Sequence, residues 1–87
     1  MITAKDVRAL AKNARICNEF ENAGRQYVLV WRATVRKPMP AQAEHVERRF
    51  LPDEKPDHIS WWIGGALDAM ATLGYHKESE ELSIEQV

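Results

Sequence analysis

Gln26-Tyr-Val-Leu-Val-Trp-Arg-Ala-Thr-Val-Arg36 is the segment from which the architecture of this 87-residue chain is most readily worked out. β-Branched and aromatic side chains dominate it, and such side chains favour an extended strand over a helix. Every second residue from Tyr27 to Val35 is apolar, whereas the residues between them begin apolar and become polar and basic. This alternation predicts a strand over 26–36 that is covered on both faces at its start and on one face at its end.

A helix is expected before this strand. Thr3 and Asp6 have the spacing of a capping box, and apolar residues then recur every three or four positions along the next four turns. Gly24 is typical of the position just after a helix, because glycine readily adopts the left-handed conformation. We therefore predict a helix over 3–23.

The segment that follows the strand can be interpreted in two ways. Lys37-Pro-Met-Pro40 ends the strand, since proline cannot donate a hydrogen bond to a sheet. An acidic residue early (Glu44) and a basic residue late (Arg48) complement the dipole of a helix, so we predict a short helix over 41–51. The alternative is a second strand that closes a hairpin with 26–36.

The most apolar part of the chain follows an acidic, proline-containing loop. It predicts a helix over 57–73, with Asp57 or Ser60 as its N-cap and Gly74 at its end in a Schellman motif.

The last residues, 76–87, are acidic and are expected to fray rather than to pack. The predicted globular domain therefore covers 1–75. A short edge strand at Leu82-Ser-Ile84 is the alternative for the tail.

Together these elements predict a small single α+β domain with an N-terminal helix, one long strand, a short helix and an apolar C-terminal helix. One strand alone leaves its backbone groups unpaired, which invites association. We therefore expect a homodimer, formed through 26–36 or through the helix over 57–73.

The composition excludes several classes of protein. Hydrophobic residues make up 45% of the chain and charged residues 29%, which is globular composition, and no apolar run approaches the ~20 residues that span a bilayer. The N-terminus has no apolar leader and the chain has a single cysteine, so we expect a cytoplasmic protein.

Residues capable of catalysis or metal binding are few and far apart. Cys17, His45, His58 and His76 contain no close pair of the kind that zinc sites use, and no nucleophile has a recognisable flanking motif. Cys17 falls on the apolar side of the first helix and is expected to pack in the core. We therefore predict no enzyme activity, no cofactor and no metal.

Two adjacent tryptophans must point in different directions, because neighbouring residues on a helix are ~100° apart. We expect Trp62 to face the core, in one line with Ala66, Met70 and Leu73, and Trp61 to face outwards. The glycine pair Gly64-Gly65 is expected to allow a neighbouring element to approach closely. The residues predicted at a protein interface are Tyr27, Trp31, Trp61, Gly65 and Asp68.

The net charge of −1 conceals an asymmetry. The first 51 residues hold ten basic and five acidic residues (+5), and the last 36 hold two basic and eight acidic residues (−6). Such halves can bind partners of either sign or lie against each other. The predicted basic patch consists of Arg25, Arg32, Arg36, Lys37, Arg48 and Arg49.

These features favour a small non-enzymatic protein-interaction module, an adaptor or an inhibitor, that docks on another protein through aromatic and apolar surface. The alternative is a nucleic-acid-binding regulator that uses the basic segment 25–49. The chain has the size of the small accessory proteins of bacteria and their phages.

Overall fold

The computed structural model describes residues 2–20, 27–51 and 53–86, with the side chains of these ranges except those of residues 14–20. The three strands form one antiparallel sheet in the order β2-β1-β3. The chain is therefore a small α+β domain, as expected, but the described residues form two helices and three strands rather than three helices and one strand. The elements are α1 (Ala4–Phe20), β1 (Tyr27–Lys37), β2 (Gln42–Phe50), α2 (Pro56–Thr72) and β3 (His76–Gln86).

The strand predicted over 26–36 is β1, and it lies at the centre of the sheet. Four consecutive residues at its start, 28–31, are buried, which confirms that both faces are covered there. Leu29, Trp31 and Ala33 pack in the core with residues of α1 and α2. The even-numbered residues of β1 lie on the opposite side of the sheet, which we call the open face.

The helix predicted over 41–51 is wrong, and the hairpin alternative is correct. Residues 42–50 form β2, which runs antiparallel to β1 from the Lys37–Gln42 pair to the Leu29–Phe50 pair. A four-residue turn that contains a cis Met39–Pro40 peptide joins the two strands. Charges that complement a helix dipole are worth only ~0.3–1 kcal/mol, and pairing with a central strand outweighs them.

The frayed tail predicted at 76–87 is also wrong for residues 76–86, which form β3. This strand pairs with β1 from Tyr27–Gln86 to Arg36–His76, with an irregularity between Thr34 and Val35. Because β1 has a strand on each side, it needs no second copy for its backbone hydrogen bonds. Unpaired backbone groups of 26–36 therefore do not require a homodimer.

Helix α1 begins with the predicted capping box. The Thr3 backbone N–H donates to Asp6 Oδ2 (3.0 Å), and the Asp6 N–H donates to Thr3 Oγ1 (3.3 Å). The hydrogen bond from the Thr3 backbone, followed by that from its hydroxyl, lowers the pKa of Asp6. Val7 and Ala11 are buried against the sheet. The predicted helix end at 21–24 and the side chain of Cys17 lie outside the described residues.

Helix α2 ends as predicted and begins differently. Gly74 adopts φ +91°, its N–H donates to the Ala71 carbonyl, and the Tyr75 N–H donates to the Met70 carbonyl, which is a Schellman motif. At the other end Lys55 is the N-cap, with no side-chain cap hydrogen bond, and Pro56 occupies the first turn. The predicted capping by Asp57 or Ser60 is therefore wrong.

Candidate interaction surfaces

The two adjacent tryptophans of α2 point in different directions, with Trp62 towards the core and Trp61 outwards, as expected. Trp62 is half-buried between Trp31 and Phe50, with edge-to-face ring contacts at centroid distances of 5.8 and 5.7 Å. The guanidinium of Arg48 lies 4.4 Å from the centre of the Trp62 ring. Trp61 is 74% exposed, and its ring is near that of His58 at a centroid distance of 6.1 Å.

The inward side of α2 differs in part from the prediction. Ile59 and Ile63 are its buried residues, and Ala66 packs beside them. Met70 is half-buried, but Leu73 is 66% exposed and does not continue the line. The helix therefore packs mainly through its first three turns, and beyond Met70 its side chains are exposed.

The opposite side of α2 is a continuous exposed surface, which we call the outer face of α2. Its side chains are small except that of Trp61, and it includes the charged residue Asp68. One turn before Trp61, Asp57 is exposed on the same side of the helix and is paired with Arg8. Thr72 donates its hydroxyl proton to the Asp68 carbonyl, so this hydroxyl is already satisfied. The outer face consists of Trp61, Gly64, Gly65, Asp68, Ala69 and Thr72.

The glycine pair does not serve the purpose predicted for it. A Cβ atom built on Gly64 or Gly65 has no neighbouring atom within 4 Å, so no element of the described chain approaches either residue. The expected close packing within the domain is therefore wrong. Beside Trp61 the two glycines leave the backbone of α2 open to solvent.

Trp31 and Tyr27, both predicted at an interface, are buried and half-buried, respectively. Trp31 is 1% exposed, so it cannot contact a partner without unfolding, and that prediction is wrong. Tyr27 is half-buried at the start of β1, opposite Gln86. Of the five residues predicted at the interface, Trp61, Gly65 and Asp68 lie together on one exposed surface.

Glu80 has a structural role that the sequence pattern does not predict. Its side chain is only 5% exposed, and its carboxylate accepts a hydrogen bond from the Trp31 indole (2.9 Å) and one from Lys77 (3.1 Å). Burial raises the pKa of Glu80, but the hydrogen bonds from Trp31 and Lys77 outweigh it, so the net pKa is lowered. The buried tryptophan N–H, which needs an acceptor, was the available signal.

The predicted basic patch is divided between the two sides of the sheet. Arg48 lies over the rings of Trp62 and Phe50, on the side of the helices. Lys37 lies 5.8 Å from the centre of the Tyr75 ring. Arg32, Arg36 and Arg49 are on the open face, and Arg25 lies outside the described residues.

The arginines of the open face are bound to carboxylates of the neighbouring strands. Arg32 forms a bidentate ion pair with Glu85 and also contacts Glu47 (3.2 Å) and Glu81 (3.7 Å). The hydrogen bond with Glu85 raises the pKa of Arg32, and the same bond lowers the pKa of Glu85. Arg36 pairs with Glu78 at 3.3 Å.

Arg49 belongs to the same network, since it contacts Glu47 (3.4 Å) and Glu85 (3.8 Å). A shallow cavity of about 390 Å³ lies on the open face. Thr34 Oγ1 and His45 Nδ1, 3.1 Å apart, line it together with Ser79. Its lining combines charged and polar residues with the apolar Ala33 and Val46, and the charge of its Arg32 is matched within the sheet.

Neither metal-binding nor membrane-spanning features occur in the described part of the chain. In those ranges no group of three or more His, Cys, Asp or Glu side chains is arranged to hold a metal ion. Neither described helix is long and apolar enough to cross a bilayer. No protein-family model, curated protein sequence or solved structure matches the chain.

Proposed function

We propose that this chain is a non-enzymatic protein-interaction module, an adaptor or an inhibitor, that binds a helix of a partner protein through the outer face of α2. The observation that carries the proposal is the 74% exposure of Trp61 on a helix whose other side packs in the core. Tryptophan is enriched among residues that dominate binding energy, and burying it on binding removes a large apolar area from water.

The surroundings of Trp61 favour a helical partner. Gly64 and Gly65 have no atom near the position of a Cβ, so another backbone can approach α2 closely beside the tryptophan. Asp68 adds one negative charge to a surface that holds no lysine or arginine. The partner that fits is an apolar helix with a basic residue placed to face Asp68.

The alternative of a nucleic-acid-binding regulator has less support. Arg32, Arg36 and Arg49 are already paired with carboxylates on the open face, so binding phosphate there would require breaking those ion pairs. As part of the same proposal we place the protein in the cytoplasm, since one cysteine is in keeping with a reducing compartment.

The decisive experiment compares Trp61→Ala with Leu73→Ala in affinity capture from the native host, with and without nuclease. We expect Trp61→Ala to weaken capture at least about tenfold, which corresponds to ~1.4 kcal/mol. Leu73 is 66% exposed and belongs neither to the outer face of α2 nor to β2, so its truncation is the matched control and should leave capture unchanged. Equal capture by both variants, or capture that nuclease abolishes, would contradict the proposal.

The same comparison needs a measure of folding. Trp61→Ala should leave the free energy of unfolding nearly unchanged, because the side chain is mostly in water. Trp62→Ala should lower it by about 3 kcal/mol, because it removes a ring packed on Trp31 and Phe50. Urea unfolding measures both values, and a destabilised Trp61→Ala variant would make its loss of capture uninterpretable as a contact effect.

A further inference from the structure

The outer edge of β2 is a second unpartnered surface. The sheet order β2-β1-β3 leaves β2 at one end, and within the described residues no strand lies beside its outer edge. Every residue of β2 except Val46, Arg48 and Phe50 is exposed. An edge strand presents unpaired N–H and C=O groups, which another strand can pair with.

The sequence of β2 is self-complementary when two copies pair antiparallel about Val46. Glu44 of each copy then lies opposite Arg48 of the other, on the side of the helices, where Arg48 already contacts Glu54 at 3.6 Å and gains a second carboxylate. His45 lies opposite Glu47 on the open face. Because the arrangement is two-fold symmetric, each favourable pair occurs twice, and no like charges face each other directly.

The two neighbouring registers lack this charge complementarity. Centring the pairing on Glu47 brings two Glu47 side chains face to face and His45 opposite Arg49. Centring it on His45 leaves both Glu47 and Arg48 opposite uncharged residues. The charges of β2 therefore favour the register about Val46 over the two adjacent registers that keep the helices on one side of the sheet.

Two exposed apolar residues at opposite ends of β2 support the same arrangement. Met39, in the turn before β2, is 82% exposed, and Leu51, directly after β2, is 62% exposed. In the register about Val46, Leu51 of one copy lies at the same end of the interface as the turn that carries Met39 of the second copy. The pairing thus places exposed apolar side chains of both copies at each end of the interface.

The other free edge is unsuited to self-association. Within β3, Lys77 is accompanied by four glutamates, so two copies of this strand would bring eight carboxylates together. The irregularity in its pairing with β1 also makes it a less regular template.

We propose that two copies of the chain associate through antiparallel pairing of their β2 strands about a two-fold axis at Val46, forming one continuous six-stranded sheet. This interface is separate from the outer face of α2, so it neither requires the proposed partner nor competes with the function assigned to that face. It replaces the pairing through 26–36 that the sequence suggested.

Sedimentation of the wild-type chain over micromolar to millimolar concentrations tests the association. We expect a species of about twice the 10.0 kDa chain mass. Glu44→Lys places a lysine opposite Arg48 at two symmetric positions and should weaken the dimer at least about tenfold. Asp68→Lys makes the same charge change on α2 and should leave the dimer unchanged.

A disulfide tests the register. With Cys17→Ser in the background, Val46→Cys places two thiols on the two-fold axis, where cross-strand Cα atoms are ~4.5–5.5 Å apart, so mild oxidation should yield a covalent dimer. Glu44→Cys is the control, because two residues 44 are too far apart in this register to be bridged.

Several results would overturn the proposal. A monomer at every concentration, or open-ended assembly into large oligomers, would exclude the closed two-fold pairing. A dimer that Asp68→Lys or Trp61→Ala dissociates, but Glu44→Lys does not, would place the second copy on α2. Loss of partner capture by Trp61→Ala tests the proposed function separately, since that substitution leaves the β2 edge intact.

Discussion

At the scale of single residues, the contact between Trp31 and Glu80 links the core to the last strand. Trp31 is 1% exposed, and its indole N–H donates to the carboxylate of Glu80, whose side chain is 5% exposed. A buried donor that loses its acceptor costs its full desolvation free energy, which is larger than the net contribution of the hydrogen bond. Lys77 compensates the charge of Glu80 at the rim of the core.

Glu80→Ala should therefore lower the free energy of unfolding by about 1–3 kcal/mol, because it leaves the Trp31 N–H buried without an acceptor. Glu80→Gln keeps an acceptor oxygen and should lower the free energy of unfolding by less. Urea unfolding at neutral pH measures both. If the alanine and glutamine variants were equally stable, the hydrogen bond to Trp31 would not be what holds β3 in place.

Three carboxyl groups make the domain sensitive to acid. The pKa values of Asp6, Glu80 and Glu85 are lowered in the folded chain, so each contributes stability above its ordinary value of 3.8 (Asp6) or 4.5 (both glutamates). That stability is lost as the pH falls below these values towards the lowered ones. We expect thermal unfolding temperatures to fall steeply below about pH 4.5 and less steeply for Glu80→Gln. A flat profile in this range would contradict the lowered pKa values.

At the scale of elements, α1, β1 and α2 could be predicted because their signals are local: a capping box, a β-branched run and a Schellman glycine. β2 and β3 could not, since each is held by pairing with β1, a partner distant in sequence. The sequence of residues 76–86 is typical of a solvated acidic tail. Its glutamates are paired with Arg32 and Arg36 of β1 only in the folded chain.

The candidate interaction surface could also be predicted only in part. The angle between Trp61 and Trp62 follows from helix geometry alone, so the outward position of Trp61, Gly65 and Asp68 was accessible from the sequence. The burial of Trp31 and the neutralisation of Arg32 were not, because both depend on which strands lie beside β1.

The glycine pair of α2 provides a test at this scale. Gly64→Ala and Gly65→Ala should each raise the free energy of unfolding by about 0.5–1 kcal/mol, because a Cβ at either position meets no atom within 4 Å. Gly74→Ala is the matched control and should destabilise, since Gly74 has φ +91°. Urea unfolding measures all three. A destabilised Gly65→Ala variant would mean that the backbone of α2 is not open at that point.

At the scale of the whole molecule, the basic and acidic parts of the chain lie against each other within the sheet. β1 contributes Arg32 and Arg36, and β3 contributes the glutamates that bind them, so the opposite charges of the two sequence halves are largely used internally. This explains how a chain with halves of +5 and −6 can present an open face whose arginines are matched. These ion pairs also help to hold β3, and with it the C-terminal part of the chain, against β1.

Removal of residues 76–87 tests that connection. Truncation leaves β1 with an unpaired edge, removes Leu82 and Ile84 from the core and deprives the buried Trp31 N–H of Glu80. We expect the chain of residues 1–75 to lose cooperative thermal unfolding, as followed by circular dichroism. The control is full-length Glu81→Gln, which removes one exposed partner of Arg32 but keeps the strand, and which should still unfold cooperatively. A truncated chain that melts at the temperature of the full-length chain would show that β3 contributes nothing to the stability of the fold.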